Sequence, residues 1–303
     1  MSPASTVKSN LALQECFPFD GAKVVDAIHA NALHIVGFEF DGTACFRKGT
    51  VNGPNAARLI SDGIETYSPY LDLDTEALPE YYDIGNLQAR NAEGEQDWQR
   101  ATDQYLSIFD MDLAKTGVRT LLIGGEHSVS YAPIRRYLEC YPDLVLIHLD
   151  AHADLRDGYL GYHHSHASII RRSLDHFGAG HSLIQYGIRS GTKEEYLWMR
   201  KNNTICSSRA DFLERVRNIP TDRPIYLTLD LDYFDPSFLP GTGTPEAGGE
   251  DFHSFISLMK LLKEKNFVGA DVVELSPEID PTGNSDVFAA KVLREIILLL
   301  GAQ

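Results

Sequence analysis

The stretch LVLIHLDAHAD, residues 144–154, sets an apolar run directly against a cluster of polar donors. The run LVLIHL has the length and aliphatic content of a strand covered on both faces. Asp150, His152 and Asp154 follow at alternate positions. Alternate side chains of an extended segment point the same way, so these three can face one space. In parallel sheets, ligand sites gather beyond the carboxyl ends of the strands.

The pattern recurs elsewhere. Residues 120–123 run into GGEHS at 124–128, residues 225–229 into Asp230-Leu231-Asp232, and residues 270–273 into Glu274. Residues 33–38 and 183–186 are further buried-strand candidates. Between them, residues 131–138 read as a helix, with Ser128 and Ser130 as capping candidates. Residues 251–264 carry Phe252, Phe255, Ile256, Leu258, Met259, Leu261 and Leu262 at near-helical spacing, and residues 287–300 form another helix candidate. Strands alternating with helices predict an α/β fold whose mainly parallel sheet is covered on both faces.

A chain of 303 residues with 43% hydrophobic content can bury a large core, and no linker-like stretch divides it. We therefore expect one domain over residues 1–303, with residues 1–30 a peripheral N-terminal segment. The N-terminus lacks the apolar core of a secretory signal, and no segment offers roughly 18 consecutive apolar residues, so a cytoplasmic protein without membrane partners is expected. Cys16, Cys45, Cys140 and Cys206 are scattered without a CxxC pair, which points to neither a disulfide framework nor a thiolate zinc site. A net charge of −16 argues against nucleic acid and suits a small cationic ligand, although acidic surfaces also serve solubility.

Buried aspartates at the end of the IYLTL run call for a cation or a hydrogen-bonded partner. The candidate metal ligands are His127, Asp150, His152, Asp154, Asp230 and Asp232. Four carboxylates balance two divalent ions; a bridging hydroxide leaves one negative charge for a cationic substrate to neutralise. Mixed imidazole and carboxylate donors without thiolate favour Mn²⁺ or another divalent first-row ion over structural zinc. Taken singly, a histidine at a strand end is more often structural, so the case rests on the set.

These residues resemble the ureohydrolase family of arginases and agmatinases. The matching motifs are GGEHS at 124–128, DAHAD at 150–154, SHAS at 165–168, DLDYFDPSFLPGTGTPEAGG at 230–249 and DVVELSP at 271–277, with FEFDGTACFRKGTVNGPNAAR at 38–58 similar to the family's N-terminal signature. The resemblance implies a three-layer α/β/α fold, a homo-oligomer such as a trimer or hexamer, and two Mn²⁺ held by the six ligands above, with Asp154 and Asp232 among the bridging groups. It further implies that Asp154 orients the attacking oxygen, that Glu274 pairs with the guanidinium nitrogens, and that His166 transfers the proton. His163 and His164 compete with His166 in sequence; the SHAS match selects His166. Thr244 is a candidate for the substrate pocket, although a Gly/Thr/Pro loop is as often a plain turn.

Within the family, SPYLDLD at 68–74, IRSGTKEEY at 188–196 and PGTGTPEAGG at 240–249 resemble bacterial agmatinases, implying cleavage of agmatine to putrescine and urea. Arginases usually carry asparagine where this chain has Arg156, which counts against arginine. An arginine there could also meet a substrate carboxylate, so guanidinobutyrate, other guanidino acids and formiminoglutamate remain alternatives. A non-catalytic metal-binding homologue would lack a ligand or the proton-transfer residue, and every such position is filled. Deacylation by a related metal fold would have no need of Glu274.

Overall fold

The computed structural model describes residues 6–7, 11, 13, 16–89 and 94–303. Eight strands form the central sheet: β1 (Lys23–Val24), β2 (Leu33–Phe38), β3 (Tyr82–Asn86), β4 (Arg119–Gly124), β5 (Val145–Leu149), β6 (Ser182–Tyr186), β7 (Ile225–Asp230) and β8 (Phe267–Val273). Their spatial order is β6-β5-β7-β8-β4-β2-β3-β1, and every pairing is parallel. The helices among the described residues are α1 (Gly53–Leu59), α2 (Glu95–Ile108), α3 (Leu113–Thr116), α4 (Tyr131–Cys140), α5 (Ile169–Leu174), α6 (Lys193–Lys201), α7 (Arg209–Arg217), α8 (Phe252–Leu262) and α9 (Asn284–Gly301).

The side-chain alternation of the strands builds two cores. Leu33, Ile35, Ile147, Leu149, Leu227 and Leu229 pack with residues of α1, α7, α8 and α9. Val36, Phe38, Leu146 and Tyr226 pack on the other side with residues of α2, α3, α4 and α5. The result is the expected three-layer α/β/α arrangement. Strands β5, β7 and β8 are buried along their whole length, because both faces are covered. No helix among the described residues is long and apolar enough to cross a membrane.

Packing rather than capping fixes the helices. In α8, Asp251 Oδ1 caps Ser254 N at 2.7 Å, while Phe255, Ile256, Leu258, Met259 and Leu262 are buried. A cap contributes about 1 kcal/mol, against about 1.5–3 kcal/mol for each large apolar side chain removed from water. Ser128 and Ser130 do not cap α4, contrary to the sequence reading. Their hydroxyls donate instead to the buried carboxylates of Glu126, at 2.6 Å, and Asp271, at 2.7 Å. A hydrogen bond to a buried carboxylate is stronger than one to a neutral backbone N–H.

Strands β1 and β3, which the sequence reading passed over, lie at one side of the sheet. Asp83 of β3 receives the fully buried Arg58 of α1 through two bonds, Nε at 2.8 Å and Nη2 at 2.9 Å, and also accepts Phe19 N at 2.9 Å. This pair ties the helix, the strand and the segment around Phe19 together. Phe19 is itself buried and Lys23–Val24 pairs with β3. Arg58→Met leaves Asp83 buried and uncompensated, so urea denaturation should show a loss of about 3–5 kcal/mol. An unchanged midpoint would mean that the pair carries no such weight.

Candidate metal centre

Neighbouring strands β5, β7, β8 and β4 end on the same edge of the sheet, so their four C-terminal segments lie within about 15 Å at ~4.8 Å per strand. From β4 the chain delivers His127, from β5 Asp150, His152 and Asp154, from β7 Asp230 and Asp232, and from β8 Glu274. All are buried except His152, which is partly exposed.

His127 is the centre of the group. Its Nδ1 lies 3.0 Å from Asp150 Oδ2, 3.2 Å from Asp154 Oδ2 and 3.3 Å from Asp230 Oδ2. Its Nε2 faces Thr228 Oγ1 at 2.9 Å, and that hydroxyl gives its own proton to Asp271 at 2.7 Å. Asp271 also accepts Ser130 Oγ at 2.7 Å and Tyr226 OH at 2.8 Å. Thr228 is thus left to accept from His127, which assigns the imidazole proton to Nε2. Nδ1 then carries a lone pair aimed at three carboxylate oxygens, an arrangement that only a proton or a metal cation at that point can make attractive.

His152 mirrors this. Its Nδ1 is 3.0 Å from Asp232 Oδ2 and 3.5 Å from Asp150 Oδ1, with Glu246 3.8 Å from Nε2. Two donor groups result, His127/His148/Asp150/Asp154 and Asp150/His152/Asp232, each with ligand atoms within 4.8 Å of one another, and Asp150 belongs to both. The donor set fits a pair of cations.

The electrostatics state the same demand. Burial, then the charges of Asp232 and Asp150, push Asp230 well above the usual carboxylate range. Burial and Asp150 raise Asp154 to about 6. Burial and the Glu126 charge raise Glu274 strongly. Burial alone would depress His127, yet its bonds to Asp150, Asp154 and Asp230 reverse that and raise it. Carboxylates crowded in this way lack positive charge.

Asp154 and Glu274 also hold left-handed backbone, φ +52° and +70°, which costs a non-glycine residue about 1–2 kcal/mol. Glu274 is fixed by its N–H to Gly125 O at 2.8 Å, and its Oε1 accepts His127 N at 2.7 Å. A cavity of about 300 Å³ opens here, lined by His127, His152, Asp154, His166, Asp230, Thr244 and Glu274, with Arg156 and Tyr159 on its wall. Thr244 Oγ1 donates to Asp232 Oδ2 at 3.4 Å. The Arg156 guanidinium rests on the Tyr159 ring, 4.5 Å from its centroid.

His166 lines this cavity; His163 and His164 do not. His163 turns to Arg172, and His164 stacks on Trp98 with centroids 4.4 Å apart. Burial lowers His166 to about 4, keeping its imidazole neutral.

The model of the arginase family matches residues 31–299. The chain is 36% identical to the agmatinase of Bacillus subtilis, over 87% of its own length and 90% of that protein. The chain belongs to the arginase family. It is also 30% identical to the guanidinobutyrase of Pseudomonas aeruginosa, over 91% of this chain and 88% of that one. The solved proclavaminate amidino hydrolase of Streptomyces clavuligerus superimposes with a TM-score of 0.83 at 25% identity, covering 97% of this chain and 99% of that one. Relatives named for three different substrates match most of this chain, so membership establishes an arginase-family hydrolase and leaves the substrate to the site.

Several site residues of this arginase-family chain escaped the sequence reading. His148 donates through Nε2 to Asp150 at 2.8 Å while Gln185 Nε2 binds its Nδ1 at 3.2 Å. The signal was present: His148, Asp150, His152 and Asp154 share one period-two register. Glu126, Asp271 and Thr43 lie inside the motifs at 124–128, 271–277 and 38–58 without a role assigned to them there, and Thr228 lies in none of the motifs. Thr228→Val should free the His127 Nε2 proton from its acceptor and weaken metal binding by roughly 10–100-fold. Metal titration followed by calorimetry measures this; unchanged affinity would remove Thr228 from the site.

Proposed function

We propose that the protein hydrolyses a guanidinium group to urea and an amine, with agmatine as substrate and putrescine as the amine. The observation that carries the hydrolase reading is Glu274. It is a buried carboxylate with one oxygen bound to His127 N and the other on the side of Gly243, in a cavity that the aspartate and histidine cluster also lines. A guanidinium supplies both the positive charge and the paired N–H donors that this carboxylate lacks. Agmatine is supported by the likeness to agmatinases and by the acidic character of the chain.

His127, Asp150, His152, Asp154, Asp230 and Asp232 would hold two Mn²⁺, a choice supported by mixed nitrogen and oxygen donors without thiolate. Such a pair lowers the pKa of water and stabilises negative charge developing during attack. Asp154 orients the attacking water by accepting a hydrogen bond. Glu274 keeps the guanidinium carbon in line with it. Water adds to that carbon, the bond to the alkyl nitrogen breaks, and His166 delivers a proton to the departing amine. The neutral imidazole can take up that proton and release it without a standing charge in the cavity. The cytoplasm, and a homo-oligomer of three or six chains, are the setting the family resemblance favours.

Arg156 favours a second reading. Its described side-chain contact is the face of Tyr159, which leaves the guanidinium edge on the cavity wall for a carboxylate at the far end of a guanidino acid.

Urea release from agmatine, guanidinobutyrate and arginine, and formamide release from formiminoglutamate, each assayed with Mn²⁺, separate these readings. Agmatine should lead. Preference for guanidinobutyrate, lost in Arg156→Ala, would establish the acid instead, and no urea from any of the three guanidino compounds would sink the guanidinium hydrolase. His166→Ala should keep two metal ions and lose about 10²–10⁴-fold in kcat, the usual contribution of a proton-transfer group. Asp232→Ala should lose metal and turnover together, and turnover in its metal-free form would refute the metal assignment.

A further inference from the structure

The segment around Thr43 folds over the end of β4. Gly125 permits this, since a Cβ there would stand 2.0 Å from Phe40 O, and Glu126 N donates to the same oxygen at 2.8 Å. Thr43 is buried and is bonded to two groups of different kinds. On one side is Glu126, fully buried: Oε2 accepts Thr43 N at 2.8 Å, and Oε1 accepts both Thr43 Oγ1 and Ser128 Oγ. On the other side is His166, whose backbone N lies 3.2 Å from Thr43 Oγ1 and whose Nδ1 lies 3.4 Å from it.

A hydroxyl has one proton and two lone pairs. Glu126, approached by three donors, takes the Thr43 proton, so Thr43 can only accept from the histidine. The proton of a neutral His166 is then held on Nδ1, and Nε2 keeps its lone pair for the cavity. We propose that Thr43, itself oriented by Glu126, is a positioning residue that sets the tautomer and ring orientation of His166 for proton transfer to the departing amine. This rests on the hydrolase reading above. It assigns a role in that reaction to the DGT turn at 41–43, which contributes none of the six candidate ligands.

The test is a double-mutant cycle on the manganese-loaded protein with agmatine, or with whichever guanidino compound the wild type cleaves. Thr43→Val keeps the shape and the backbone bond to Glu126 and removes only the hydroxyl. Its kcat should fall at least about tenfold, a part of what proton-transfer groups contribute, with KM and metal content held within twofold. Thr43→Ser should restore most of the rate. In the His166→Ala background, Thr43→Val should cost nothing further, because the group it positions is gone.

Equal losses in both backgrounds, a change in KM alone, or failure of serine to rescue would overturn the proposal. If Thr43→Val does not accumulate as folded protein, Thr43→Ala in the same cycle gives the same reading. A wild type that cleaves none of the compounds would refute the hydrolase reading and the relay with it, whereas an active wild type with additive effects refutes the relay alone.

Discussion

Everything in this molecule is arranged around a local excess of negative charge that the protein does not neutralise by itself. Asp150, Asp154 and Asp230 each place an oxygen within 3.3 Å of one imidazole nitrogen, and Asp232 sits beside a second imidazole. In a buried setting such crowding is strongly unfavourable without cations. The fold supplies the energy to hold it. Two extensive apolar cores, one on each sheet face, fix the strands whose ends carry the carboxylates.

The strand order is what makes the crowding possible. In sequence, β4 and β5 are consecutive, yet β7 and β8 lie between them in space. His127 and Asp150 therefore meet across the ends of the two intervening strands, which add acids of their own. A sheet wound in simple sequence order would set these groups side by side instead of around a common point.

Behind the candidate ligands stands a second set of polar groups that fixes their protons. Asp271 holds Thr228, which holds His127; Gln185 holds His148, which holds Asp150. Asp271 is an acceptor-only carboxylate, and the Gln185 amide is oriented by Thr204 Oγ1 donating to its oxygen and by its nitrogen donating to Ala153 O, so the proton positions downstream follow. Strained backbone at Asp154 and Glu274 belongs to the same economy. Both carboxylates are directed into the cavity by conformations that ordinary residues avoid, and the surrounding packing and hydrogen bonds sustain them.

The sequence by itself determined the family and the general architecture. Apolar runs such as 144–149 ending in donors at alternate positions specify both a parallel sheet and a set of candidate ligands, because burial pattern and side-chain period are local properties. It could not reveal Thr43, which meets His166 across 123 positions, or Thr228, which meets His127 across 101. A single threonine in a turn or a strand has no periodicity to betray it. The roles of Ser128 and Ser130 were equally hidden, since a hydroxyl before a helix looks like a cap until a buried carboxylate competes for it. Which donors share a point, which nitrogen of each histidine is free, and which of three nearby histidines faces the cavity were decided only in the tertiary structure. Those are distances between groups remote in the chain, and they are set by the order in which the strands pack.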